Sequence, residues 1–230
     1  MKPIIRMVLS TSLIAFAAEN PAVFKDSSLE ANVRNFIHGA DPSKPLTQDQ
    51  LSHVYLVSAS NQPIRDLAGL ENCPNLNTIY LTGSQVSDLS PLSKLTHLEQ
   101  LTIAGSKIKD LTPLAGLTHL RYLDLSLNQI SDLTPLANLK SLQTLSIKQN
   151  RVTDLSPLTS LTAWRGLYLD QKQVSDLAPL VTMVQPDRQP IKGVTPFWIL
   201  SLRGNPLSAQ ASSRDLPELQ KRAFDVIADR

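Results

Sequence analysis

The chain has 230 residues, of which 42% are hydrophobic and 18% charged, and its formal net charge at pH 7 is +2. This near-neutral balance argues against a nucleic-acid or anionic-membrane partner, which needs a surplus of Lys and Arg. The single cysteine, Cys73, excludes a disulfide within a monomer. No apolar run reaches the length of a membrane span, so we predict none.

The first 17 residues have the features of a cleaved secretory signal peptide. Lys2 and Arg6 give a positive start, an apolar stretch follows, and Ala15–Ala17 reads Ala-Phe-Ala, an A-x-A cleavage pattern. Cleavage there leaves 20 basic and 20 acidic residues, so the mature chain is expected to be neutral. The sequence therefore predicts a secreted or periplasmic protein, with a cytoplasmic protein carrying an N-terminal tail as the alternative.

Residues 18–53 contain the signals of a small helical cap. Asp26 is placed to cap one helix at its N terminus. Thr47 and Gln50 have the spacing of a capping box at the start of a second helix. We expect these two helices to precede the main body of the fold.

An Asp-Leu pair recurs six times at a constant step of 22 residues, which is typical of a solenoid. The six acids are Asp66, Asp88, Asp110, Asp132, Asp154 and Asp176. Each is expected to cap a short turn by accepting a backbone N–H. A metal role for this column is disfavoured, because each coil offers one carboxylate and calcium prefers six to eight oxygens.

Each repeat combines two hydrophobic periods. Leu123 and Leu125 alternate with polar residues, which predicts a short strand with one buried face. Apolar residues three apart predict 3₁₀ or irregular turns before that strand. Asn128 and Asn150 are expected to form an inward ladder bonded to the backbone. One repeat has too little core to fold alone, so neighbouring coils must share one interior.

The pattern Leu120, Leu123, Leu125, Asn128 and Ile130 resembles the leucine-rich repeat. The phrase Ile/Val-x-Asp-Leu-x-Pro-Leu, together with the helical cap, resembles the internalin type found in bacterial surface and secreted proteins. The resemblance implies an α/β fold: one curved leucine-rich-repeat solenoid of about seven coils with a helical cap at each end. A parallel sheet would line its concave face, and 3₁₀ or irregular turns its convex face.

The remaining segments are assigned from this pattern. Residues 54–207 hold the repeats, with an insertion at 186–196 that is either a second binding element or a tolerated surface excursion. Residues 208–230 are expected to form a C-terminal capping helix with Asp215 as its N-cap. Its apolar stripe would consist of Leu216, Leu219, Ala223 and Val226 or Ile227. Trp164 and Cys73 fall in Leu columns and are expected in the core, whereas Lys172 in the Asn column predicts a looser turn.

Catalysis is not expected, because the sequence contains no Walker loop, HExxH pair or GxSxG elbow. His97 and His119 lie 22 residues apart and should stack on adjacent coils. The neighbouring copies supply no strong third ligand, so we interpret the pair as a solvated edge. The sequence thus predicts no catalytic residue, no cofactor and no metal.

The outward strand positions form the candidate site, because the resemblance implies that such proteins bind through the concave face. Tyrosine there offers rigid area with a polar tip, a common interface chemistry. The predicted contacts to a protein ligand are Tyr80, Tyr122, Asp124, Lys148, Tyr168, Asp170 and Arg203. We expect a monomer; the alternatives are an accessory or regulatory subunit of an enzyme, or a structural surface protein.

Overall fold

The computed structural model describes residues 24–170, 173–183, 198–221 and 224–229. The predicted signal peptide 1–17, the insertion 186–196 and Lys172 lie outside them. The helices are α1 (Ser27–Asn35), α2 (Gln48–Ser52), α3 (Ala178–Met183) and α4 (Leu216–Lys221). The strands are β1 (Leu56–Ser58), β2 (Thr78–Tyr80), β3 (Gln100–Thr102), β4 (Tyr122–Asp124), β5 (Thr144–Ser146), β6 (Gly166–Tyr168), β7 (Trp198–Ser201) and β8 (Phe224–Ile227).

All eight described strands form one parallel sheet in sequence order, β1 to β8. From β1 to β6 the register is constant at one repeat, so each strand residue lies beside its counterpart in the next coil; Leu101 is next to Leu123, which is next to Leu145. Short 3₁₀ turns return the chain between β2 and β6. The predicted solenoid with a parallel sheet is confirmed, and it extends one strand beyond the seven coils expected.

The interior is a continuous stack of aliphatic side chains. Leu101, Leu123 and Leu145 are each fully buried. Trp164 and Cys73 are also buried, which confirms both as core residues. Because every coil buries its apolar side chains against the next, the outward strand residues are held on a rigid support.

The Asp column has the expected structural role, with a small difference in position. Each carboxylate accepts the amide N–H of the residue two positions later at 2.8 or 2.9 Å, as Asp110 does from Thr112. Leu111, between them, occupies the helix-capping position. The motif is therefore an Asx turn that leads into the 3₁₀ turn.

The Asn ladder is confirmed at its two predicted members. Asn128 accepts the Ile108 N–H at 2.9 Å and donates to the Ile103 carbonyl at 2.7 Å. Asn150 repeats the arrangement one coil later, and Asn205 has an equivalent role after β7. These side chains satisfy buried backbone groups at the turn that follows each strand.

The N-terminal cap also matches expectation. Asp26 accepts the amides of Ser28 and Leu29 at the start of α1, and Thr47 with Gln50 forms the capping box of α2. Asn32 on α1 donates to the backbone carbonyl at the end of β1 at 2.7 Å. The first edge of the sheet is therefore covered by a helix.

The C-terminal prediction was wrong in part, because α4 ends at Lys221 and the chain then forms β8. Val226 and Ile227, placed on the helical stripe, pair instead with Leu200 and Ser201 of β7. β-Branched residues favour strands, and the free edge of β7 supplies backbone partners. Asp215 is not the N-cap either: it ends the π-helical turn Ala211–Asp215, where Arg214 donates to its buried carboxylate at 2.8 Å.

Three residues after the end of six of the described strands, β1 to β5 and β7, the backbone is left-handed. The described members of this column are Asn61, Gly83, Gly105, Leu127, Gln149 and Gly204, with φ between 54° and 73°. The amides of the first five continue the backbone hydrogen bonds between coils, as Leu127 N–H does to the Lys148 carbonyl at 2.8 Å. Leu127 is therefore an apolar residue held in a conformation that favours Gly and Asn.

Replacing Leu127 with Asn should raise the free energy of unfolding by about 1 kcal/mol, because Asn tolerates the left-handed region better. Leu127 is 54% exposed, so little core packing is lost. Leu127→Ala is the matched control, since it shortens the side chain without relieving φ. Urea unfolding measures both variants; equal stability of the two would contradict the strain argument.

Candidate functional site

The seven predicted contact residues all belong to the outer face of the sheet. Four of them lie within strands: Tyr80, Tyr122, Asp124 and Tyr168. The other three each lie two residues after the end of a strand: Lys148 after β5, Asp170 after β6 and Arg203 after β7. Tyr122 is exposed, at 36%, whereas Tyr80 and Tyr168 are half-buried. The alternation that predicted this face is therefore confirmed, whereas a binding role stays a prediction.

Gln100, Tyr122, Thr144 and Gly166 lie side by side on neighbouring strands. The side chains of Tyr80 and Tyr168 both reach toward this row of residues. Tyr80 donates from its hydroxyl to Gln100 Oε1 at 2.6 Å, and Gln100 lies beside Tyr122 in register. Tyr168 folds back over Gly166, where an added Cβ would be 2.8 Å from ring atom Cε2 and 3.4 Å from the hydroxyl oxygen. Tyr80, Tyr122 and Tyr168, called here the tyrosine row, thus present polar tips along one line across the sheet.

Electrostatics support the proximity of the three phenols. Partial burial raises the pKa of Tyr122, and the Asp124 carboxylate and the phenols of Tyr80 and Tyr168 raise it further. Adjacent strands are about 4.8 Å apart, so the row from β2 to β6 spans roughly 19 Å. The Tyr122 hydroxyl is therefore neutral and available to donate or accept a hydrogen bond.

At the β6 end, Lys148 and Asp170 form a local network rather than two free charges. Lys148 Nζ is 3.0 Å from Asp170 Oδ2 and 4.9 Å from the centre of the Tyr168 ring. The other carboxylate oxygen of Asp170 accepts from the Ser201 hydroxyl and the Arg203 amide. Burial by itself would raise the pKa of Asp170, yet these hydrogen bonds and Lys148 together keep the pKa below its usual value.

Asp124 is likewise engaged within the protein. Its Oδ1 accepts from the Ser126 amide at 2.9 Å and from the Ser126 hydroxyl at 2.6 Å. The Ser126 hydroxyl also lies 2.7 Å from that of Ser146 on the next strand. Asp124 and Asp170 therefore stabilise the surface through contacts within the protein. A partner would contact Asp124 Oδ2, Asp170 Oδ2 or the residues around them.

Arg203 differs from these paired charges. It is exposed, and across residues 24–170, 173–183, 198–221 and 224–229 its guanidinium forms no ion pair. With respect to these described residues, its five N–H donors are therefore available to bind a partner protein.

Two residues that position the tyrosines, Gln100 and Gly166, were not predicted from the sequence to do so. Gln100 lies in the outward column, but nothing in the sequence shows that it receives the Tyr80 hydroxyl. Gly166 carried a usable signal, because Gly inside a strand often marks a close approach by another group. Here that group is the Tyr168 ring.

The cysteine and the helices bear on two other functions, nucleophilic catalysis and membrane spanning. Cys73 is buried, and burial together with Glu71 raises its thiol pKa to about 12, so it is not an activated nucleophile. Among the helices that the structure describes, none is long and apolar enough to cross a bilayer.

Comparisons with known proteins agree with this geometry. Residues 74–116 and 96–138 match the family model described as leucine-rich repeats in two copies. A search of curated proteins gave no significant match.

Solved structures extend the similarity to most of the chain. An internalin, inlF, from Listeria monocytogenes is 30% identical, with a TM-score of 0.76 over 92% of this chain. The chain spans 59% of the length of that protein. Internalin C2 of the same organism is 29% identical, with a TM-score of 0.64 over 90% of this chain and 94% of that one. A Leptospira interrogans leucine-rich-repeat protein, 19% identical over 81% of this chain and 52% of its own, shares the fold with a TM-score of 0.61.

Proposed function

Because the chain is a leucine-rich-repeat protein of the internalin type, we propose that it binds a partner protein through the outer, concave face of its sheet. The tyrosine row is the observation that supports this role most strongly. The proposal includes a secreted or periplasmic location, a monomeric state and no catalytic activity.

The row has the properties of a binding centre. Tyr combines a large contact area with a hydrogen-bonding tip, and it loses little conformational entropy because it has two side-chain torsions. Tyr122 is the member most open to solvent, with Tyr80 and Tyr168 on either side of it. Such a group of anchors at the middle of a surface is typical of protein interfaces.

Preorganisation strengthens the argument. The Tyr80 hydroxyl is held by Gln100, and the Tyr168 ring is held between Gly166 and the Lys148 ammonium. Immobilising a flexible side chain on binding costs about 0.5–1.5 kcal/mol, and here that cost is reduced in the free protein. The face can therefore bind with little rearrangement.

Electrostatics favour a protein over a polyanion as the partner. The ion pair of Lys148 with Asp170 leaves Arg203 as an unpaired cation beside it in the described part of the sheet. One cation next to three neutral phenols suits a partner surface that combines apolar and polar groups with a single carboxylate. A nucleic acid would need a continuous row of positive charge.

Alanine at Tyr80, Tyr122 and Tyr168 together should abolish binding. Affinity capture from culture medium and periplasm, followed by mass spectrometry, identifies the bound protein, and its affinity is then measured for each variant. Hot-spot tyrosines contribute 1–2 kcal/mol or more each, so the triple variant should lose at least about 100-fold.

Asn138→Ala is the control, because Asn138 is exposed on the opposite, convex side. Circular dichroism shows whether the triple variant keeps its fold. Unchanged affinity in a folded triple variant would reject the concave face, and equal losses in the control would reject its specificity.

A further inference from the structure

Two histidines on adjacent coils share one constrained geometry on the edge of the solenoid that precedes the strands. His97 Nδ1 lies 3.2 Å from the Pro74 carbonyl oxygen, and His119 Nδ1 lies 2.9 Å from that of Thr96. Each ring therefore contacts the backbone of the preceding coil, 23 residues earlier. The repeated contact gives the two rings the same orientation.

These contacts determine the tautomer of both rings. A carbonyl oxygen can only accept, so Nδ1 of His97 and of His119 must carry the hydrogen. The lone pair of each neutral ring is then on Nε2. Metal-ligating histidines almost always use their other ring nitrogen in this way, because donation to a carbonyl fixes the ring and raises the basicity of the ligating nitrogen.

Asn75 lies 22 residues before His97, at the equivalent position of the preceding coil, and its side chain carries an amide oxygen. Asn75 donates from Nδ2 to the Ser52 carbonyl at 2.8 Å, again 23 residues earlier. Because its amide nitrogen faces the backbone, its Oδ1 remains as an acceptor beside His97. His97 and His119 are exposed and Asn75 is half-buried, so an ion can approach from solvent.

We propose that His97 and His119 bind one divalent transition-metal ion through their Nε2 atoms, with Asn75 Oδ1 and water completing the coordination. Imidazole nitrogen suits Zn²⁺, Ni²⁺ and Cu²⁺, whereas Ca²⁺ and Mg²⁺ prefer oxygen.

The spacing is compatible with a shared ion after a small adjustment. Tetrahedral Zn²⁺ with zinc–nitrogen bonds of about 2.0–2.1 Å holds two ligating nitrogens roughly 3.3 Å apart. Adjacent strands are about 4.8 Å apart, so the two Nε2 atoms must approach each other by roughly 1.5 Å. Both rings are exposed, so side-chain rotation can supply this shift.

Titration of the full chain with Zn²⁺, and separately with Ni²⁺, by isothermal calorimetry tests the site. We expect one ion per chain at this site, and His97→Ala and His119→Ala should each weaken binding roughly 10- to 100-fold. His53→Ala is the matched control: His53 Nδ1 also contacts a backbone carbonyl, that of Asp49 at 2.8 Å, but the next position of its column is Asn75. The affinity of the His53→Ala variant for Zn²⁺ should equal that of the unchanged protein.

A gain-of-function variant gives an independent test. Ser141 occupies the next position of the column, so Ser141→His adds a third imidazole beside His119 and should tighten binding at least about tenfold. Zn²⁺ affinity unaffected by His97→Ala, or two ions bound independently by the two rings, would overturn the shared site. Failure of this proposal leaves the concave-face function untouched, because the two surfaces have no residue in common.

Discussion

Replacing Asn128 with Ala should lower the free energy of unfolding by about 3–5 kcal/mol, since each buried polar group left without a partner costs about 1–3 kcal/mol. Asn128 accepts the Ile108 amide and donates to the carbonyls of Ile103, Leu125 and Ser126. Its side chain is buried, so water cannot replace these bonds without opening the turn. Urea unfolding followed by circular dichroism measures the loss.

Two further variants make the result specific to the ladder. Asn138→Ala removes an exposed Asn from the convex side and should change stability by less than about 0.5 kcal/mol. Asn128→Ser should fall between the two, because Ser84 and Ser106 already occupy this column and bond to each other at 2.6 Å. A loss below 1 kcal/mol for Asn128→Ala would mean that the ladder does not stabilise the stack.

Gly69→Ala should destabilise the protein by about 2–4 kcal/mol, because it combines backbone strain with a steric clash. Gly69 has φ of +108°, a region that other residues rarely adopt. A Cβ there would lie 2.5 Å from Cδ1 of Phe24, a residue of the N-terminal cap that packs into the core. The substitution should displace Phe24, and hydrogen exchange should then accelerate in α1.

Gly116→Ala is the matched control for this prediction. A Cβ at Gly116 meets nothing within 4 Å, and its φ is outside the left-handed region. The change should be neutral or stabilise by a few tenths of a kcal/mol, up to about 1 kcal/mol, through reduced freedom of the unfolded chain. Equal behaviour of the two variants would show that Gly69 is not required for seating the cap.

The repeat allowed much of the fold to be predicted from sequence. The 22-residue step placed Asn128 and Asn150 in one inward column, and the period of two placed Tyr80 and Tyr168 outward. These assignments succeed because each depends on local periodicity repeated many times. Gly69, which replaces the recurrent Pro in the first copy, was visible as a departure, but its contact with Phe24 is a tertiary feature.

Features without a repeated pattern were harder to predict. β8 was assigned to a helix because Val226 and Ile227 also fit a helical stripe, and the choice depended on the free edge of β7. Residue spacing predicts which face a side chain is on but not its rotamer, so the hydrogen bond of Tyr80 to Gln100 was not foreseen. The pairing of Lys148 with Asp170 was also missed, since outward position says nothing about partners within the face.

The most direct measurement of the binding proposal is site-specific photo-crosslinking of the captured partner. A photoreactive amino acid is placed either at position 122, within the tyrosine row, or at position 138, on the convex side. We predict a crosslinked complex from position 122 and none from position 138; crosslinking from position 138 with none from position 122 would contradict the proposal that the concave face is the binding surface.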